Sequence, residues 1–305
     1  MAPIEKLESQ HITVLVDPAN GGTIRHIGRD SNPNSNVLAW YEWDIPRPLP
    51  LEYSEGESHK HWISRYRGGW QFLAPNAGDE CVHNGRRHTF HGESSILPWE
   101  VTTIDDTLLI MELHIFDSLH LKRTLSLHPS LPILNCLTEI KNLSHAPQEI
   151  VVVEHVAFQG SSTIQVSAPD QSSWAFPKGY EEDSVEAMIW SESGNDRPDL
   201  RSPIKNKFVR LAYLSRGSEG WVSIFDEKRA IGARLMWDAE KFPYLWYWQE
   251  RFTPGFPFYG RAEITGLEPA SCHPDEALLG ASKSGRSTII PAKEKISFEL
   301  DLEIL

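Results

Sequence analysis

The chain has 305 residues, 40% of them hydrophobic, and sets 29 Lys and Arg against 42 Asp and Glu for a formal net charge of -13. That length can bury one large core, and the acidic balance excludes affinity built on phosphate-backbone contacts, so nucleic acid is not an expected partner. The longest apolar runs are strand-sized, such as Ile150-Val-Val-Val153, well short of the roughly 20 residues a bilayer-crossing helix requires, so no membrane partner is expected.

The first residues, Met1-Ala-Pro-Ile-Glu-Lys6, lack the apolar segment of a signal peptide. Period-two alternation then sets in. Residues 12–16 and 23–27 flank Asp17-Pro-Ala-Asn-Gly-Gly22, which is turn chemistry, and together they predict an opening hairpin. Residues 99–158 read as a meander. Residues 99–104 turn at Asp105-Asp106 into 108–115, and residues 119–127 turn at His128-Pro129 into 133–140. A last strand runs from Glu149 to His155. Further strands are expected at 208–213, 221–225, 231–237, 244–250, 259–267 and 296–305. Turn signals recur about every ten residues and no long amphipathic helix interrupts them. The fold class is therefore all-β, an antiparallel β-sandwich forming a single domain over residues 1–305.

Two stretches break the rhythm. Residues 50–98 are polar and rich in Gly and His, and residues 160–206 carry Ser, Pro, Asp and Gly without a period. Loops of that length in a compact domain usually build sites or lids. In Tyr244-Leu-Trp-Tyr-Trp-Gln-Glu250, the aromatic density and Pro243 predict a bulge, which would leave only one of Trp246 and Trp248 facing a cleft.

Three features can carry chemistry. His83, His88, His91 and Glu93 have the donor types of a metal site, but His88 and His91 are three apart, on opposite faces of an extended strand, so no metal is expected. Glu154-His155 closes a very apolar strand, where a histidine is most often a satisfied core residue. Glu268 stands in Gly266-Leu-Glu-Pro269, where Gly266 permits close backbone approach and Pro269 stiffens the chain. A fixed carboxylate, a fixed imidazole and indole faces are what a sugar-processing site uses. Cys81, Cys136 and Cys272 lie far apart and are odd in number, which predicts a reducing, cytoplasmic setting.

In chain order, Tyr66-Arg-Gly-Gly-Trp-Gln-Phe-Leu-Ala-Pro-Asn-Ala-Gly78, His91-Gly92 with Trp99 eight residues on, Glu154-His-Val-Ala-Phe158 and Leu267-Glu-Pro269 resemble the galactose mutarotase-like superfamily. That group contains aldose 1-epimerases and hexose-6-phosphate 1-epimerases, and the likeness spans residues 12–305. It implies a β-supersandwich with a sugar cleft on one sheet, and interconversion of α and β anomers by acid–base ring opening without cofactor. Glu268 matches the general base, His155 the acid, His91 the second sugar-binding histidine and Arg67 an arginine of the site. Trp246, Trp248, Gln249 and Glu250 occupy the region of a further sugar contact, with Trp248 and Gln249 taken as the substrate-binding residues. The implied partner is a small sugar, bound by a monomer or homodimer. The alternatives are a non-catalytic sugar-binding module on the same fold, or a sugar isomerase or lyase. Glu93-Ser-Ser stands where the phosphate-specific branch carries Phe-Ala-Arg, and Val-Ala-Phe replaces Thr-Tyr-Phe after His155.

Overall fold

The structure, a computed structural model, describes residues 3–43, 56–178, 188–192, 199–205, 207–215 and 219–305. Parts of the two stretches expected to form sites or lids (residues 50–55, 179–187, 193–198 and 206) lie outside the described residues.

Alternation makes strands, and the strands make two large sheets. In chain order they are β1 (Glu5–Glu8), β2 (Thr13–Asp17), β3 (Thr23–Gly28), β4 (Gly69–Leu73), β5 (Cys81–His83), β6 (Arg86–His88), β7 (Glu100–Ile104), β8 (Leu108–Ile115), β9 (Leu119–Leu127), β10 (Ile133–Asn142) and β11 (Gln148–Ile150). There follow β12 (Val153–Gln159), β13 (Ile164–Ser167), β14 (Ser173–Ala175), β15 (Met188–Ile189), β16 (Val209–Ser215), β17 (Trp221–Asp226), β18 (Ile231–Trp237), β19 (Tyr244–Arg251), β20 (Glu263–Ala270), β21 (Thr288–Ile290) and β22 (Lys295–Ile304). Two helices accompany them, α1 (Ser58–Arg65) and α2 (Ala277–Ser284).

One sheet has ten strands in the order β1-β2-β3-β4-β12-β20-β19-β16-β14-β15, and the other has eight in the order β13-β17-β18-β22-β10-β9-β8-β7. Their pairing is antiparallel throughout. The main core lies between them and draws Trp70, Phe72, Val156, Phe158, Tyr247 and Leu267 from the first sheet and Leu121, Leu125, Leu134 and Leu300 from the second. This is the expected antiparallel sandwich.

The expected strand from Glu149 to His155 is two strands. Val151 N–H donates to the Pro75 carbonyl and Val152 N–H to Ser271 Oγ, so the chain leaves the small β11–β21 pair there and enters the centre of the ten-stranded sheet as β12. The strand expected at 259–267 begins later, at Glu263, because residues 256–260 form turns. The bulge predicted in residues 244–250 is absent. β19 pairs residue by residue with β16 and β20, without a register shift.

β12 is buried on both faces, which is why its sequence does not alternate. Glu154, Val156 and Phe158 point into the main core, while Val153, His155 and Ala157 point to the outer face. Glu154 is held there by Arg123 of β9. The guanidinium makes a two-pronged pair with the carboxylate at 2.9 and 2.8 Å and also donates to Thr138 Oγ1, while Trp70 Nε1 donates to Glu154 Oε2. Arg123 and Glu154 are 2% and 1% exposed. Burying two charges is favourable only with this near-complete pairing, and the pair ties one sheet to the other directly behind His155.

Candidate active site

Residues paired directly across an antiparallel ladder share a face. His155 lies opposite Gln71 of β4, and Glu268 of β20 lies opposite Trp246 of β19. The outer face of the ten-stranded sheet therefore carries Gln71, His155, Glu268, Trp246 and Trp248 side by side. Gly266 makes the approach possible, since a methyl group at that position would collide with Glu268 Oε1 and press on Trp248 Cβ at 3.3 Å.

His155 Nε2 stands 3.5 Å from Glu268 Oε1. His91 reaches the same place from the loop after β6, its ring 5.3 Å from that of His155. It sits at φ 59° and is followed by Gly92 at φ 72°, where the Ala74 and Asn76 carbonyls leave no room for a side chain. Gly78 N–H donates to His91 Nδ1 at 3.0 Å, which assigns the His91 proton to Nε2 and makes that atom a donor.

α1 lies across this group. Trp62 meets His91 edge-on at 4.5 Å and His155 at 5.6 Å, and its indole N–H donates to Ser95 Oγ. Tyr66, the residue that caps α1, stacks on Trp62 at 4.7 Å and stands 5.5 Å from the His155 ring. Trp248 is half-buried, 6.2 Å from Tyr66 and 6.4 Å from His155. Arg67 lies at the margin beside Trp62, Tyr66 and Gln71, with Nε and Nη2 donating to the Trp43 carbonyl. Beside this group lies a pocket of about 20 Å³, room for one water, lined by Trp62, Tyr66, Arg67, Gln71 and Ser95.

Exclusion of water sets the electrostatics. Burial pulls His155 down to about 4. Burial, reinforced by His155 and His59, holds His91 well below an ordinary imidazole. Burial pushes the Glu268 carboxyl well above the usual carboxylate range. The two shifts run in opposite senses, and burial favours the uncharged form of each group. A carboxyl and an imidazole displaced in this way within one water-poor cleft can together accept a proton at one point and release one at another.

Two expectations need correction. Gln249 does not join the cleft. It falls on the opposite parity of β19, across from Thr265, and its amide accepts from Ile204 N–H and donates to the Ser202 carbonyl. Trp246 and Trp248 both lie on the cleft face, because the strand is regular. They differ because α2 covers Trp246, whose indole N–H donates to the Cys272 carbonyl among Leu278 and Ala281. Glu93 lies outside the cleft. Its Oε1 accepts from Thr89 N–H and Oγ1, and its Oε2 is 3.8 Å from His88 Nδ1. His83 and His88 line a separate cavity of about 250 Å³ with Arg86 and Glu149. Trp62, Tyr66 and Gln71 escape sequence reasoning: Tyr66 and Gln71 flank the Arg-Gly-Gly motif, and Trp62 lies in a polar stretch without strand periodicity. The aromatic–polar clustering around that motif is the one signal that points to them.

Solved structures share this architecture. The Slr1438 protein from Synechocystis sp. PCC 6803 superposes with a TM-score of 0.70 at 16% identity, covering 100% of this chain and 96% of its own. A galactose mutarotase related enzyme from Lactobacillus acidophilus gives 0.70 at 13%, covering 99% and 97%. A galactose mutarotase-like protein from Lactobacillus casei gives 0.68 at 15%, covering 99% and 100%. At these identities the likeness is one of fold, and the fold is the galactose mutarotase-like β-sandwich. No curated protein matches the chain in sequence. Residues 34–304 match the family described as a domain of unknown function, DUF4432, and the chain belongs to that family.

Proposed function

We propose that this protein is a carbohydrate mutarotase that interconverts the α and β anomers of an aldose. The observation that carries the reading is the His155–Glu268 pair, 3.5 Å apart, buried on a mutarotase-like sheet with His91 beside it. Ring opening takes the proton from the anomeric hydroxyl and gives one to the ring oxygen. Rotation of the free aldehyde and the reverse transfers close the other anomer. Burial favours the uncharged pair, so sugar binding first passes the Glu268 proton to His155; Glu268 as carboxylate then accepts the proton of the anomeric hydroxyl while His155 as imidazolium supplies one to the ring oxygen, and the pair ends with the same single proton it began with. His91 Nε2–H donates to a sugar oxygen, Trp248 offers its indole to the pyranose face, and Arg67 binds at the margin. The chemistry needs a base and an acid acting together and no cofactor.

The test is exchange NMR of anomer interconversion over common aldoses, uronates and sugar phosphates, corrected for the buffer rate. Acceleration that falls about 10²- to 10⁴-fold in Glu268→Gln supports the reading, that being the usual contribution of one positioned acid–base group. No acceleration with any sugar, or full activity in Glu268→Gln, defeats it.

A further inference from the structure

We infer that Tyr66 and Gln71 complete a sugar subsite, the phenol donating to a sugar oxygen and the Gln71 amide oxygen accepting from a sugar hydroxyl. The identity of the ligand rests on the mutarotase reading, whereas the subsite rests on unspent hydrogen bonds. Tyr66 is 4% exposed and its hydroxyl has no partner among the described residues. Gln71 is 6% exposed. Its amide nitrogen is anchored by Thr23 Oγ1 at 3.1 Å and the Ser95 carbonyl at 3.2 Å, which fixes the plane of the group, yet its Oε1 is also unpartnered. Glu268 Oε1 accepts no hydrogen bond and has the 3.5 Å approach of His155 Nε2.

Nearly all buried polar groups in native proteins are paired, because an orphaned one forfeits its hydration for nothing. Two orphans, the Tyr66 hydroxyl and Gln71 Oε1, beside one acid–base pair mark a surface shaped for a polar ligand. Packing alone does not ask for the hydroxyl. The cluster already uses phenylalanine at Phe90 and Phe258, and Tyr66 meets its neighbours through ring faces and edges. Burial, with Glu268 close by, keeps the phenol protonated and therefore a donor. A donor and an acceptor on adjoining side chains match hydroxyl groups, each of which can both give and take a hydrogen bond. Tyr66 and Gln71 also line one small pocket together with Trp62 and Arg67, so both border the same space beside α1.

The experiment compares wild type with Tyr66→Phe in the full chain, using D-glucose, D-galactose, D-glucuronate and D-glucose 6-phosphate. Anomer exchange, sugar binding by saturation-transfer NMR and melting temperature are each read. Removal of an orphaned hydroxyl should leave the melting temperature unchanged or raise it by about 2 °C. Loss of its bond to sugar should weaken binding, or kcat/KM, roughly five- to hundredfold. A wild-type enzyme matched by Tyr66→Phe in exchange and binding overturns the subsite and leaves the mutarotase reading standing. A wild type that binds sugar without accelerating exchange, and loses binding in Tyr66→Phe, defeats the mutarotase reading and supports the subsite. A fall of several degrees in melting temperature makes the hydroxyl structural and overturns the inference, as does a wild type that neither binds nor turns over any of the four sugars.

Discussion

Acid should destabilise this protein through His155, and replacement of that residue by Gln should remove the effect. The imidazole is 4% exposed and burial brings it down to about 4, whereas in the unfolded chain it titrates near 6.5. A histidine lowered on folding binds fewer protons in the native state. Its stability is complete above the unfolded value and is lost as pH falls from 6.5 towards 4. Between pH 7.5 and 4.5 the loss is about 2.5 kcal/mol, taking roughly 1.4 kcal/mol for each unit of separation over that window. Glu268 works in the opposite sense. Its raised value makes the native state the better proton binder, so its share is present below the ordinary carboxylate value and is lost as pH rises. Glu268 and His91 are present in both proteins, so the shares set by their own burial cancel in the difference, while the part of the His91 shift that His155 supplies is lost in the variant and acts in the same direction as the loss of His155 itself. Urea denaturation of wild type and His155→Gln at intervals over that range gives the measurement. The stability difference should shift by about 2.5 kcal/mol against wild type as pH falls. Parallel pH curves would show that His155 is not held neutral by burial, and the proton inventory of the site would have to be redrawn.

Other substitutions separate the site from its support. Gly266→Ala should cut anomer exchange about 10²-fold, the scale of a misplaced reacting group, because the new methyl displaces Glu268; unaltered exchange kinetics would refute the close approach. Trp248→Ala should raise KM about tenfold with kcat largely kept, the loss of one stacking surface, and an unchanged KM would assign stacking elsewhere. Glu154→Gln should cost about 3–5 kcal/mol in urea unfolding, since it strands the buried Arg123 charge. The protein that remains folded should keep its exchange activity, which steady-state NMR on the native fraction would check.

Local sequence determined much of the sheet architecture. Alternation in residues 108–115, 119–127, 133–140 and 231–237 depends only on which side of a strand meets water, and those strands form within two residues of their expected limits. Motif order likewise marked His91, His155 and Glu268, because the local neighbours that fix each one (Gly92, Val156, Gly266) are adjacent in the chain. Long-range facts were beyond that reach. The break between β11 and β12 depends on Pro75 and Ser271, distant in sequence. The exclusion of Gln249 follows from strict parity along β19, which holds because β16 and β20 pair with it on either side and iron out the expected bulge. The difference between Trp246 and Trp248 arises from α2, which covers one of two equivalent positions. Tyr66 and Gln71 acquire chemical meaning only when β4, β12 and α1 converge. A hydroxyl or amide is ordinary in a sequence, and it becomes an unspent hydrogen bond only once tertiary packing has removed the water around it.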